Sequence, residues 1–107
     1  MTGVSMPAGL PAVAREFAES LRAHGFDPER AADRQVMCLA EEVGEFVGAY
    51  RRFTGQARRT GTAEEVRDEL ADVVLAAFVA AYELGIDLAA AIEDKTHTIR
   101  ARGWRTR

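Results

Sequence analysis

The stretch LAEEVGEF, residues 39–46, places Glu41, Glu42 and Glu45 within five positions of a segment whose apolar residues otherwise repeat as in a packed helix. Further along, in DELADVV, Glu69 and Asp72 stand three apart beside a second apolar repeat. On a helix each residue advances by about 100°, so side chains three or four apart are surface neighbours. Glu42 then falls at the edge of the stripe carrying Leu39, Val43 and Tyr50, with Glu45 one turn on and Glu41 pointing further out. Glu69 and Asp72 flank the stripe of the later helix in the same way. If the two helices pack antiparallel, these carboxylates meet at one edge of the seam. Such a gathering is costly unless protons or cations neutralise it. An all-oxygen donor set suits hard divalent cations, Mg²⁺ first and Mn²⁺ second. No His or Cys accompanies the acids, which points away from zinc. The Glu-x-x-His of di-iron bundles is also missing.

The elements that must position these groups are helical. The chain has 107 residues, 48% of them hydrophobic, with only 7% aromatic and three prolines. That balance and length suit one all-α domain with a modest core. Residues 1–10 are expected to be a flexible leader, and 11–107 a single domain ending in a basic tail. Four helices are expected. The first spans about Pro11–His24, with Pro11 in its first turn and Val13, Phe17 and Leu21 on one side. After HGFDPER, with Asp27 as a cap signal, the second spans about Arg30–Phe53. Its Val36, Leu39, Val43, Phe46, Val47 and Tyr50 are expected to face the core. Thr62 and Glu65 form a capping-box signal for the third, which runs to about Leu84 and is apolar nearly all round after Val73. Gly85 ends it, and Asp87 can cap the fourth, about Leu88–Ala101. Short connections make antiparallel neighbours, so the fold expected is an antiparallel bundle. The nearly uninterrupted apolar surface of the third helix suggests at least a dimer.

Charge and cysteine content narrow the setting. Cys38 is the sole cysteine, so no disulfide can form within the chain, and a reducing cytoplasmic compartment is expected. MTGVSMPAGLP lacks the basic start and apolar run of a signal peptide. VVLAAFVAAY, residues 73–82, is about half the ~20 residues of a membrane span. Nine acids and one base lie between Glu64 and Asp94, then five bases and no acid between Lys95 and Arg107. The acidic body argues against a duplex-binding surface, so no nucleic-acid or membrane partner is expected. The basic arm fits a small polyanion or a solvated tail. Lys95 shares one side of the fourth helix with Leu88, Ile92, Ile99 and Arg102, an unusual line for an ammonium group.

Taken together, LAEEVGEF followed after a spacer by DELADVVLAAFVAAYELGIDLAAAIEDK resembles the MazG-like nucleotide pyrophosphohydrolases of the all-α NTP pyrophosphatase group, over about residues 33–104. The family pattern, Glu-Glu-x-x-Glu and then Glu-x-x-Asp, falls on Glu41, Glu42, Glu45, Glu69 and Asp72. The resemblance implies Mg²⁺ on Glu42, Glu45, Glu69 and Asp72, with Glu41 placing or deprotonating the attacking water. It implies hydrolysis of a nucleoside triphosphate between the α and β phosphates, and a homodimer or tetramer. Lys95 and Arg102 match two positions of a phosphate-contacting pattern in which Ile99 replaces the family's asparagine. Where some relatives carry an aromatic residue after Glu-x-x-Glu, this chain has Arg52. Trp104 is expected to anchor the tail to the bundle, with stacking on a base as the alternative. Gly44 and Gly48 offer a close approach between subunits. Two competing readings remain at this level: a helical module that binds nucleotide without hydrolysing it, and a phosphoribosyl-ATP pyrophosphatase.

Overall fold

Two long helices laid antiparallel against each other, with a third packed on one of them, make the body of the molecule. The computed structural model describes residues 6–104. The element order is α1 Met6–Ala23, a 3₁₀ turn Pro28–Arg30, α2 Ala31–Phe53, α3 Ala63–Leu84 and α4 Leu88–Arg102. No strand occurs among the described residues. Of the expected leader, residues 1–5 lie outside the described part, as do residues 105–107 of the basic tail.

Local sequence explains most boundaries. Asp27 caps the 3₁₀ turn by accepting from the Glu29 backbone N–H at 2.9 Å. Thr62 and Glu65 close a reciprocal capping box at the start of α3: Thr62 Oγ1 accepts from the Glu65 N–H at 3.1 Å, and Glu65 Oε1 accepts from the Thr62 N–H at 2.9 Å. Gly85 ends α3 in the left-handed region at φ 70°, where a side chain would be strained. Asp87 then caps α4 by accepting from the Ala90 N–H at 3.0 Å. The start of α1 differs from expectation. The helix begins at Met6, so Pro7 takes the first-turn place expected for Pro11, and Pro11 lies inside the helix.

α3 is the central element and contacts both α1 and α2. Ala14 and Ala18 of α1 pack on Phe78 and Val79 of α3, with Leu10 and Leu88 at the margin. Small residues at this contact let the helices approach closely. An ion pair reinforces it: Arg22 donates to Glu83 at 2.7 Å, and the Glu83 side chain is 3% exposed. Loss of Arg22 would strand that buried carboxylate, a change that costs about 1–3 kcal/mol or more.

Two features depart from a closed four-helix bundle. The chain turns by 110° between α3 and α4, and among the described residues α4 makes no extended helix contact, with Leu88 at its start reaching the core. The radius of gyration is accordingly 16.4 Å, against roughly 13 Å for a compact chain of about 100 residues. The second feature is the rotation of α2. The side it turns to the interior carries Ala31, Gln35 and Ala49, with Glu42 half-buried along the same line. Of the stripe expected to face the core, Leu39 and Phe46 are half-buried, whereas Val36, Val43, Val47 and Tyr50 stay open, all between 43% and 49% exposed. Alanine and glutamine at the interior line allow α2 and α3 to sit close, which larger stripe residues would prevent. No single helix among the described residues is long and apolar enough to cross a membrane.

Candidate metal centre

The antiparallel register of α2 and α3 decides which carboxylates meet. Glu42 of α2 faces Glu69 and Asp72 of α3, and each offers an oxygen such that all three lie within 4.8 Å of one another. Because α2 is rotated inward, Glu42 belongs to the helix contact itself rather than to its rim. It is half-buried, and its Oε2 is shielded from solvent with no hydrogen-bond partner. Glu69 is half-buried and Asp72 exposed.

The electrostatic consequence is a shared reluctance to ionise. Burial, and then the charges of Glu45, Asp72, Glu69 and Glu41, raise the Glu42 pKa above the ordinary glutamate value. Burial followed by Glu45 and Asp72 raises that of Glu69, with Arg52 acting in the opposite direction. An orphaned carboxylate oxygen beside two further carboxylates is a donor set for a hard cation, which would both complete the hydrogen-bonding deficit and cancel the repulsion. The residues therefore fit a divalent ion. Nitrogen and sulfur donors are absent from the cluster, although Cys38 lies nearby in the adjoining groove.

Two grooves flank the cluster. One, of about 850 Å³, is lined by Glu41, Glu45 and Glu69 and by Arg52 and Arg59, over a floor that includes Gly44 and Gly48. The other, of about 470 Å³, has Glu42 and Asp72 at its polar side and Phe17, Cys38, Leu75 and Val79 as apolar walls. Gln35, 6% exposed, is the buried polar side chain lining it. The residues singled out from sequence thus divide. Glu42, Glu69 and Asp72 converge, while Glu45 and Glu41 are exposed and line the larger groove with Glu69. Lys95 and Arg102 are exposed on α4, and no residue of α4 lines either groove. Trp104 is 90% exposed, so it anchors nothing within its own chain. Gly44 and Gly48 open the larger groove.

Comparison with known families adds one finding. The MazG nucleotide pyrophosphohydrolase domain matches residues 30–103. The chain belongs to the MazG family. The matched span takes in α2, α3 and α4 and leaves out α1, so the Phe17 wall of the smaller groove lies outside the shared domain. Comparison with curated proteins gave no significant match, and comparison with solved structures gave none. The MazG domain is all-α, as the described residues are.

Arg52, Arg59 and Gln35 are site-lining residues that the carboxylate spacing did not single out. Arg52 follows Glu45 by seven positions and so shares its face, a signal present in the sequence. Arg59 sits in the α2–α3 connection, where no periodicity applies.

The raised carboxylate pKa values set a sign for stability. The folded chain holds protons that the unfolded chain releases, so this contribution is complete below the unfolded carboxylate pKa. It is lost as pH rises through the folded value. In the metal-free protein, Glu42→Gln should therefore raise the unfolding temperature at neutral pH by a few degrees, with the difference shrinking below about pH 4. A divalent cation should raise the wild-type unfolding temperature and leave the variant's nearly unchanged. A metal-free variant less stable than wild type at neutral pH would contradict the repulsion described here.

Proposed function

We propose that the chain is a Mg²⁺-dependent nucleoside triphosphate pyrophosphohydrolase, cleaving (d)NTPs between the α and β phosphates to a monophosphate and pyrophosphate. The observation that carries this reading is the convergence of Glu42, Glu69 and Asp72 around an unpartnered, buried carboxylate oxygen, in a chain of the MazG family. Glu42, Glu45, Glu69 and Asp72 are assigned as the residues that hold Mg²⁺, with Mn²⁺ as the alternative. A bound divalent cation supplies neutralisation of phosphate charge, orientation of the substrate and a lowered pKa of water. Glu41, exposed at the same groove, is assigned to orient the attacking water and to take its proton on a carboxylate oxygen. The water oxygen attacks the α-phosphorus, and the bond to the bridging oxygen breaks with pyrophosphate leaving.

Lys95 and Arg102 are assigned to the substrate phosphates. Since α4 stands clear of both grooves in its own chain, that role requires a second copy or an inward swing of α4. The half-exposed Val36, Val43, Val47 and Tyr50 of α2, with Leu70 and Val74 of α3, support a homodimer as the minimum assembly. Each such side chain left half open forgoes on the order of 1 kcal/mol of burial, and one apolar helix face is the natural cover for another. A tetramer would reuse the same face together with α4. The chemistry fits a cytoplasmic enzyme acting on free nucleotides. Non-hydrolysing nucleotide binding is the second reading, favoured by Ile99 at the family's asparagine position.

The functional test is a panel of NTPs and dNTPs with Mg²⁺ and direct detection of pyrophosphate. Turnover with pyrophosphate release is expected. Glu42→Ala or Asp72→Ala should lower it by at least about a hundredfold, as expected for loss of a group that orders metal and phosphate, with the helical signal retained. Orthophosphate alone, or binding without product, would refute the reading. For the assembly, sedimentation of the wild-type chain should give twice the chain mass, and Val47→Glu should give the monomer. A wild-type monomer at micromolar concentration would contradict the dimer.

A further inference from the structure

The larger groove holds two arginines among its carboxylates, and nothing in the carboxylate chemistry calls for them. Glu41, Glu45 and Glu69 line it beside the cluster, while Arg52 and Arg59 line it further along together with Glu65 and Asp68. The Arg52 guanidinium is folded back along its own helix: a Cβ placed on Gly48 would lie 3.4 Å from Arg52 Nη1. The absence of a side chain at Gly48 thus leaves the guanidinium lying over the groove floor, on the side of Glu45. Its donors are largely unspent. Nε is shielded from solvent and has no hydrogen-bond partner. The nearest carboxylate, Glu65, reaches Nη2 only at 4.0 Å through Oε2, while Glu65 Oε1 accepts from the Thr62 N–H at 2.9 Å.

The connection after α2 completes the arrangement. The Gly61 N–H donates to the Arg52 carbonyl at 3.2 Å, which folds residues 54–61 back over the end of α2. The fit is tight: a Cβ on Gly61 would lie 3.0 Å from Arg52 Cβ. Arg59 is carried to the groove by this fold-back and forms no ion pair or hydrogen bond among the described residues.

We propose that Arg52 and Arg59 clamp the terminal phosphates of a polyphosphate nucleotide, the pair that leaves as pyrophosphate. This rests on the assignment of the carboxylate cluster as the metal centre of a pyrophosphohydrolase. Guanidinium groups present several donors in a fixed plane that matches phosphate oxygens. Carboxylates outnumber arginines along the groove, so a polyphosphate enters only together with its cations. The α-phosphate then sits at the carboxylate end and the chain of phosphates runs toward Arg52. The clamp makes phosphate number a specificity feature, with triphosphates preferred over diphosphates.

The test uses the full chain with Mg²⁺ and measures binding of inorganic pyrophosphate and of a nucleoside monophosphate by calorimetry, beside turnover of a triphosphate and its diphosphate. In Arg52→Gln and in Arg59→Ala, pyrophosphate affinity should fall about ten- to a hundredfold, the range for loss of a charged hydrogen bond. Monophosphate affinity should hold. The triphosphate KM should rise more than kcat falls, the preference for triphosphate over diphosphate should shrink, and Arg52→Lys should restore part of the loss. Arg59→Ala alters an exposed loop side chain, so its effect cannot come from unfolding. If the wild type hydrolyses nucleotides and both variants bind pyrophosphate as it does, the clamp is refuted and the enzyme reading stands. A fall in monophosphate affinity with unchanged pyrophosphate binding also refutes it, placing Arg52 against the base. A wild type that neither hydrolyses any nucleotide nor binds pyrophosphate with Mg²⁺ overturns both.

Discussion

Like-charge repulsion at a close helix contact is the constraint on which the rest depends. α2 and α3 meet through small side chains, and that closeness brings Glu42 against Glu69 and Asp72. Folding alone would favour an apolar residue at Glu42, where one oxygen is buried without a partner. The contact is held anyway by the alanine-rich interior line of α2, the capping box that starts α3, and the packing of α1 on α3. The stability spent at the cluster is what makes it receptive to a cation. A cation bound there would cancel charge and supply the missing partner in one step.

The same inward rotation of α2 has a second result. Turning Glu42 toward α3 turns Val36, Val43, Val47 and Tyr50 away from it. A single chain therefore has its carboxylate cluster in place but an open apolar face, and a fourth helix that leaves the body at 110° to the third. The carboxylate cluster and the open apolar stripe are two faces of one helix, set by one rotation angle. The arginines of the larger groove follow from the continuation of the same helix, since Arg52 lies two turns beyond Glu45 on its face.

Much of this was legible in the residues. Helix boundaries marked by side-chain chemistry, at Thr62 with Glu65, Gly85 and Asp87, stand where local capping rules put them, while Asp27 caps the 3₁₀ turn before α2 rather than α2 itself. The spacing already implied that Glu42, Glu45, Glu69 and Asp72 would meet if α2 and α3 ran antiparallel; three of them converge, and Glu45 stands at the larger groove. What periodicity could not supply was the direction of a helix with two usable faces. α2 carries a large apolar stripe and a line of small residues, and the hydrophobic pattern alone favours the stripe. Close approach to α3 selects the small line instead, because bulk on that side would hold the helices apart. The first helix began earlier than expected because Pro7 and Pro11 both satisfy first-turn rules, and only the longer helix uses Pro7 in that way. The fourth helix kept its expected span but not its expected neighbours, since no local signal reports what a basic amphipathic arm packs against.

The central claim is that the carboxylate cluster is a cation site built into the α2–α3 contact. Titration of the folded chain with Mn²⁺, followed by the electron paramagnetic resonance signal of the free ion, tests it without reference to any substrate. The account predicts saturable, stoichiometric loss of the free-ion signal, competed by Mg²⁺ and abolished in Glu69→Gln. A signal that falls no further than with an unstructured acidic peptide, or equal uptake by wild type and Glu69→Gln, would contradict it.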